Sequence, residues 1–134
     1  MIAIELARAL RDSGLVWHPA SGDNFIIDRV EVDADVFILS DMTVEAHEFD
    51  TGTILGFNGT TEWALDSVAI EQSLWLPRED QLRELLGGTF RGLRVVDGGF
   101  AVEVVFGGTE QSFVDADAAE AYGTALLALT ELSL

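Results

Sequence analysis

The stretch Phe100-Ala101-Val102-Glu103-Val104-Val105-Phe106 places large apolar residues at the even positions and Ala, Glu and Val between them. Because successive side chains of a strand point to opposite faces of its sheet, this period of two predicts a strand with one well-buried face. Glycine-containing turns flank it at 97–99 and 107–108, next to strand-like runs at 90–96 and 110–114. The sequence therefore predicts a three-stranded β-meander over 90–114.

A long amphipathic helix is predicted after this meander. Its apolar stripe consists of Ala118, Ala121, Tyr122, Ala125, Leu129 and Leu132, and Leu126 widens it. Asp115 or Asp117 is the expected cap, because Glu120 follows Asp117 at the spacing of a capping box. Gly123 inside the helix predicts a close approach to a neighbouring element.

Two further helices are predicted earlier in the chain. The first carries Ile2, Leu6, Ala9 and Leu10 at helical spacing and is stopped by Ser13-Gly14. The second is expected to have Pro77 as its first residue, because a proline there loses no hydrogen bond. Its apolar stripe is Leu82, Leu85 and Leu86, and Gly87-Gly88 ends it.

The segment between the first two helices reads as about five short strands. Residues 25–27 form one, and the apolar run 36–39 is expected to be a central strand. Further strands are predicted at 44–49, 53–57 and 61–65, with a turn at 50–52. Asn58-Gly59 predicts a tight hairpin between the last two, since both residues tolerate positive φ. Residues 66–76 are ambiguous.

Strands in sequential groups joined by short turns indicate antiparallel pairing, so the predicted class is α+β. The expected order is helix, antiparallel β-meander with the Asn-Gly hairpin, helix, three-stranded meander and C-terminal helix. A length of 134 residues fits a single domain over 1–134.

The charge of the chain limits its partners. It has 24 acidic residues against 7 arginines and no lysine, a formal net charge of −17. Nucleic acid and anionic membranes are not expected as partners, because both require clustered cations. The charge instead favours a protein partner with cationic segments. With no signal sequence and no long apolar run, the expected location is the cytoplasm.

Motifs for catalysis, cofactors and metals are not found. Without lysine there is no P-loop, and without cysteine there is no thiol chemistry or cysteine-bound zinc. The two histidines, His18 and His47, fall on different predicted elements. Pairs of carboxylates are expected by chance among 24 acids. We therefore expect no enzyme activity, no cofactor and no metal, and assign no catalytic residue.

Trp17, Trp63 and Trp75 all lie at or near predicted loops. Tryptophan is enriched at the centres of protein interfaces, but it is also an ordinary core residue, and both interpretations stay open. The final helix places Leu126 and Leu127 on different sides, so its stripe is wider than one small sheet needs. The expected partner contacts are therefore Trp17, Trp63, Trp75 and Leu127.

Three stretches, LRDSGLVWHP (10–19), GFNGTTEWALDSV (56–68) and WLPREDQLR (75–83), resemble a family of small acidic, uncharacterised proteins of actinobacteria. Some members carry a pilus-assembly label, which does not imply ATPase activity here because the P-loop lysine is missing. The order of elements is also similar to that of type III secretion chaperones and YbjN-like proteins, which implies a chaperone-like role and dimer formation.

Together these features favour a non-enzymatic protein-binding domain, chaperone-like or adaptor-like. A sheet face or helix groove would take an apolar partner segment, and acidic rims would select cationic flanks. The alternative is a small-molecule-binding protein or hydrolase with a pocket of tryptophan and carboxylates. A homodimer through the wide stripe of the final helix is also expected.

Overall fold

The computed structural model describes residues 1–28, 35–39, 44–49, 52–57, 67–69 and 72–132. Every strand pair within these ranges is antiparallel, so the predicted α+β class is confirmed. A 3₁₀ turn, Gly87–Thr89, joins α2 to β7. The elements are α1 (Ile4–Asp12), β1 (Asn24–Ile27), β2 (Phe37–Ile38), β3 (Val44–Phe49), β4 (Gly52–Phe57), β5 (Ser67–Ala69), β6 (Ser73–Leu76), α2 (Glu79–Leu86), β7 (Phe90–Val96), β8 (Gly99–Phe106), β9 (Thr109–Asp115) and α3 (Ala118–Leu132).

The chain divides into two compact units. Met1–Val16 and Pro77–Leu134 form one, here called the terminal unit, and Trp17–Leu76 forms the other, the inserted unit. The terminal unit contains all three helices described and the sheet of β7, β8 and β9. The single domain expected over 1–134 stays a prediction.

The sheet of the terminal unit has the strand order β7-β8-β9, as the meander predicts. Gly107 and Gly108 both have positive φ, 55° and 82°, which allows the tight turn between β8 and β9. Val102 and Val104 of β8 are buried, as the alternation predicts. Ala101, on the opposite face, is also fully buried. This middle strand is therefore the centre of the terminal unit.

Helix α3 covers the β8 and β9 part of this sheet. Its cap is Asp117, as predicted, and Asp117 Oδ1 accepts the N–H of Ala119 at 2.8 Å. The capping-box bond from Glu120 is replaced by other contacts, because the Asp117 N–H bonds Asp115 Oδ1 and Glu120 Oε1 accepts the N–H of Ala3. The rings of Tyr122 and Phe90 lie 5.7 Å apart. Gly123 meets α1 closely, since a Cβ built there would lie 2.6 Å from Leu6 Cδ2. The predicted close approach at this glycine is confirmed.

Helices α1 and α2 both pack against α3. Helix α2 begins at Glu79, so the expectation that Pro77 is its first residue is wrong. The reason is that Arg78 keeps an extended backbone, with ψ of 164°, and donates its N–H to Gln81 Oε1 at 2.9 Å. Of the predicted stripe, Leu82 and Leu86 are buried, whereas Leu85 is 41% exposed.

The first sheet of the inserted unit has the order β2-β1-β6. Phe25 of β1 lies opposite Phe37 on one side and Trp75 on the other. The apolar run 36–39 is not the expected central strand, because only Phe37–Ile38 pairs, at the edge of the described sheet. Leu39 instead forms two backbone hydrogen bonds with the preceding turn. Its N–H donates to the backbone carbonyl oxygen of Asp23, and its own carbonyl oxygen accepts the N–H of Gly22.

The second sheet of the inserted unit has the order β3-β4-β5. Strand β3 has the predicted bounds, and β4 starts one residue earlier than predicted. The ambiguous segment 66–76 contains β5 and β6, with β5 pairing to residues 54–56 of β4. The predicted Asn58-Gly59 turn, the strand 61–65 and turn residues 50–51 lie outside the described residues.

Candidate functional site

An apolar groove of about 400 Å³ lies in the terminal unit where its three helices meet. The loop after α1 contributes Leu15, α2 contributes Leu85, and α3 contributes Leu126 and Leu129. Ser13, Gly14 and Thr130 complete the lining. Leu85 is the most exposed of the four leucines, which makes it the accessible wall of the groove.

The two hydroxyl groups of the groove are already hydrogen-bonded. Ser13 Oγ and Thr130 Oγ1 lie 2.7 Å apart and bond to each other. Ser13 Oγ also approaches the Leu10 carbonyl oxygen at 2.8 Å, and Thr130 Oγ1 the Leu127 carbonyl oxygen at 2.9 Å. These contacts tie the end of α1 to α3. Because both hydroxyls are bonded within the protein, the lining presents mainly apolar surface to a ligand.

Three exposed acids are sequence neighbours of residues that line the groove. Asp12 precedes the lining residue Ser13, Glu84 precedes Leu85, and Glu131 follows Thr130, and all three acids are exposed. Two bases, Arg11 and Arg83, are neighbours of these three acids, and Arg11 Nε lies 3.3 Å from Asp12 Oδ1. The charge beside the groove is therefore negative on balance, in keeping with the whole chain.

Helix α2 is held at its start by an exposed ion pair. The Arg78 guanidinium donates a hydrogen bond to Asp80 at 3.1 Å and, with its charge, lowers the pKa of that carboxyl below its usual 3.8. A lowered folded-state pKa means that the small stabilisation is present above the usual pKa and is lost as pH falls through the lowered value. The pair lies at the start of the helix that carries Leu85, and because it is exposed its contribution to stability is small.

The lining residues offer no ionisable side chain for acid–base chemistry. In the described part of the chain, no cluster of three or more histidine, aspartate or glutamate side chains is arranged to hold a metal ion. None of the helices in these ranges is long and apolar enough to cross a bilayer. The chemistry that the groove can perform is burial of an apolar group, with acids nearby to attract a cation.

A second cluster of interest lies in the inserted unit around Asp23, a carboxylate only 2% exposed. Its Oδ2 accepts the indole N–H of Trp17 at 2.9 Å and the backbone N–H of Ala20 at 3.0 Å. The centroid of a Trp17 ring lies 5.4 Å from that of Phe25, and the Phe37 ring stacks on Phe25 at a centroid distance of 5.6 Å. This arrangement fixes the irregular segment before β1 onto its sheet.

Of the predicted partner-contact residues, the three that the structure describes do not line the groove. Trp17 and Trp75 are half-buried and both neighbour Phe25, one by ring contact and one across the strands. Trp63 lies outside the described residues, and Leu127 is half-buried on α3. Their roles as partner contacts stay predictions. The lining leucines were assigned to core stripes or to a loop by sequence, because three distant segments form the groove.

Two buried polar atoms of β6, on Trp75 and Ser73, could not be identified from the sequence. The Trp75 indole Nε1 and the Ser73 Oγ are buried, and neither has a hydrogen-bond partner. The two residues are two apart on β6 and therefore share one face of that strand. Leaving such groups unpaired opposes folding.

Comparison with protein-family models, curated proteins and solved structures gave no match for the chain. The resemblance to the actinobacterial family stays a prediction. The function of the chain is therefore inferred from the residues of the groove.

Proposed function

We propose that the chain is a non-enzymatic protein-binding domain, chaperone-like or adaptor-like, that acts in the cytoplasm. Its groove takes an apolar segment of the partner, and the acids beside the groove select cationic flanks. The observation that carries this proposal is the lining of the groove, in which four leucines surround two hydroxyls that bond to each other.

The lining favours a protein segment over a small polar ligand. Small-molecule sites usually place a few unsatisfied polar groups so that they orient the ligand within an apolar pocket. Here both hydroxyls also contact backbone carbonyl oxygens of the helices that carry them. A leucine or phenylalanine side chain from a partner helix needs only apolar surface and a matching shape.

Charge supports a cationic partner. The net charge of −17 attracts cations over the whole surface, and Asp12, Glu84 and Glu131 bring this charge next to the lining residues. Complementary charge speeds encounter and disfavours acidic partners more than it adds affinity. The leucines are therefore expected to supply the affinity and the acids the selectivity.

The alternative expectation, a pocket of tryptophan and carboxylates, has its described counterpart in Trp17 and Asp23. The Asp23 Oδ2 already accepts two N–H groups, and the residue is almost completely buried. These contacts favour a structural role for the pair, so we propose no second function.

We expect Leu85→Asp to weaken binding of a cationic amphipathic peptide at least about tenfold, because it puts a charge where an apolar side chain must be buried. The probe is a fluorescein-labelled helical peptide with leucines on one face and lysines on the other. Fluorescence anisotropy at low salt measures its affinity for each variant.

The matched control is Val114→Asp, since Val114 is also an exposed apolar residue, at 62%, but lies on β9 outside the groove. The control should bind the peptide as the wild type does. A peptide with glutamates in place of its lysines should not bind. Equal affinities for both variants, or no binding of the cationic peptide by the wild type, would contradict the proposal.

A further inference from the structure

Strand β7 has one free edge, since no second strand pairs with it among the residues that the structure describes. It is at one end of the described order β7-β8-β9, and α3 lies over β8 and β9. Two apolar residues near its end are exposed as a consequence, Leu93 at 42% and Val95 at 77%. A long strand edge with exposed apolar side chains is a template for pairing with another strand.

The backbone N–H and C=O groups of Leu93 and Val95 point away from β8, towards the open edge of the sheet. Val96 lies opposite Gly99 across the two-residue turn 97–98, and residues that flank such a turn exchange hydrogen bonds with each other. The alternation along an antiparallel pair then directs the N–H and C=O of Val95 and Leu93 to the free edge. This half of β7 can therefore accept another strand without losing a bond to β8.

Leu93 and Val95 also share a face with the core of the sheet. They lie opposite Val102 and Phe100 of β8, and directly opposed residues point to the same side. An added strand with apolar residues at matching positions would extend the apolar face that α3 covers only in part. The bulge between Phe90 and Gly92 is confined to the other half of the strand.

The charges on β7 bear on which partner strand this edge can accept. The ionisable residues of β7 are Arg91 and Arg94, whereas β9, at the other edge, carries Glu110 and Asp115. Arg94 Nη2 lies 2.8 Å from Glu103 Oε1, so its charge is compensated. In a chain with a net charge of −17, β7 is an edge at which a second copy meets little local repulsion.

We propose that β7 pairs antiparallel with β7 of a second copy, about a two-fold axis near Arg94, to join two sheets into one of six strands. Leu93 then lies opposite Val95 of the partner subunit, and each such pair exchanges backbone hydrogen bonds. The two Arg94 side chains lie opposite each other at the axis, and the Glu103 carboxylate paired with each of them balances their like charges. The proposal does not depend on the groove. The interface expected on α3 stays a separate prediction: Leu126, which widens that stripe, is buried within the terminal unit, whereas Leu132 is exposed.

The test compares two exposed edge valines. Val95→Asp puts a charge into the proposed interface, and Val114→Asp makes the same change on β9, where Val114 is 62% exposed. Sedimentation equilibrium at about 100 µM protein and about 0.3 M NaCl, which screens the overall repulsion, measures the dimer. We expect a dimer for the wild type and Val114→Asp, and a dissociation constant raised at least about tenfold for Val95→Asp.

Hydrogen exchange provides a second readout that needs no variant. The amides of Leu93 and Val95 should exchange more slowly at high protein concentration than at low concentration, because the dimer protects them. A wild type that stays monomeric, a dimer that Val95→Asp leaves unchanged, or a dimer without protection of these amides would each overturn the proposal.

Discussion

Gly99→Ala is expected to destabilise the terminal unit by about 3 kcal/mol or more, a value at the upper end for added volume in a packed site. A Cβ at Gly99 would overlap the Asp115 carbonyl oxygen and lie 2.7 Å from the Ala116 Cα. Both are backbone atoms where β9 leads into the cap of α3, and Asp115 Oδ1 accepts the N–H of Asp117 there. The backbone cannot move without disturbing both elements.

The control for this prediction is Gly92→Ala in the neighbouring strand. A Cβ at Gly92 meets nothing within 4 Å, and its φ is not in the left-handed region. Alanine there should change stability by less than about 1 kcal/mol. Urea denaturation followed by far-UV circular dichroism compares the two variants. Equal midpoints for the two would show that β8 and the start of α3 are not packed as described.

Asp23→Ala is expected to destabilise the inserted unit by about 3 kcal/mol, because two N–H donors lose a charged, buried acceptor. These donors are the indole of Trp17 and the backbone of Ala20. All three tryptophans lie between residues 17 and 76, so tryptophan fluorescence during urea denaturation reports on this unit.

Two controls separate the buried acceptor from a general loss of negative charge. Asp23→Asn should cost less than half as much, since both donors bind the same oxygen, Oδ2, which an amide oxygen can replace. Asp12→Ala removes an exposed carboxylate and should have an effect below about 0.5 kcal/mol. A midpoint for Asp23→Ala equal to that of Asp12→Ala would contradict the structural role of Asp23.

The regular elements could be predicted where the local pattern decides the structure. The alternation at 100–106 gave the central strand of the terminal unit, and the Asp117 cap and the close contact at Gly123 were also predicted. In each case the signal lies within a few residues of the feature. Burial of one strand face follows from the alternation, and close packing at Gly123 follows from the absence of a Cβ.

Other elements depend on contacts that local patterns do not contain. The run 36–39 is apolar enough for a central strand, but the hydrogen bonds of Leu39 to the turn at 22–23 end the pairing at Ile38. Pro77 is typical of a first helical residue, yet the Gln81 side chain caps the chain at Arg78. Both outcomes depend on a bond made outside the pattern itself.

The candidate site was beyond prediction for a related reason. Leu15, Leu85 and Leu129 come from three segments, and only the packing of α1 and α2 on α3 brings them together. In the sequence, Asp23 is typical of a turn residue, since it follows Ser21 and Gly22. A tryptophan six residues before a turn aspartate was the one available hint of the indole bond. The charge of the chain, by contrast, was readable from composition and supports the choice of a cationic partner.

The central claim, that the groove of the terminal unit binds an apolar segment with cationic flanks, is tested most directly by methyl NMR. The protein, labelled at its leucine methyl groups, is titrated with the leucine–lysine peptide. Signals of Leu15, Leu85 and Leu129 should shift together, while those of Leu39 and Leu74 in the inserted unit stay in place. Shifts confined to the inserted unit, or no shifts at saturating peptide, would contradict the account.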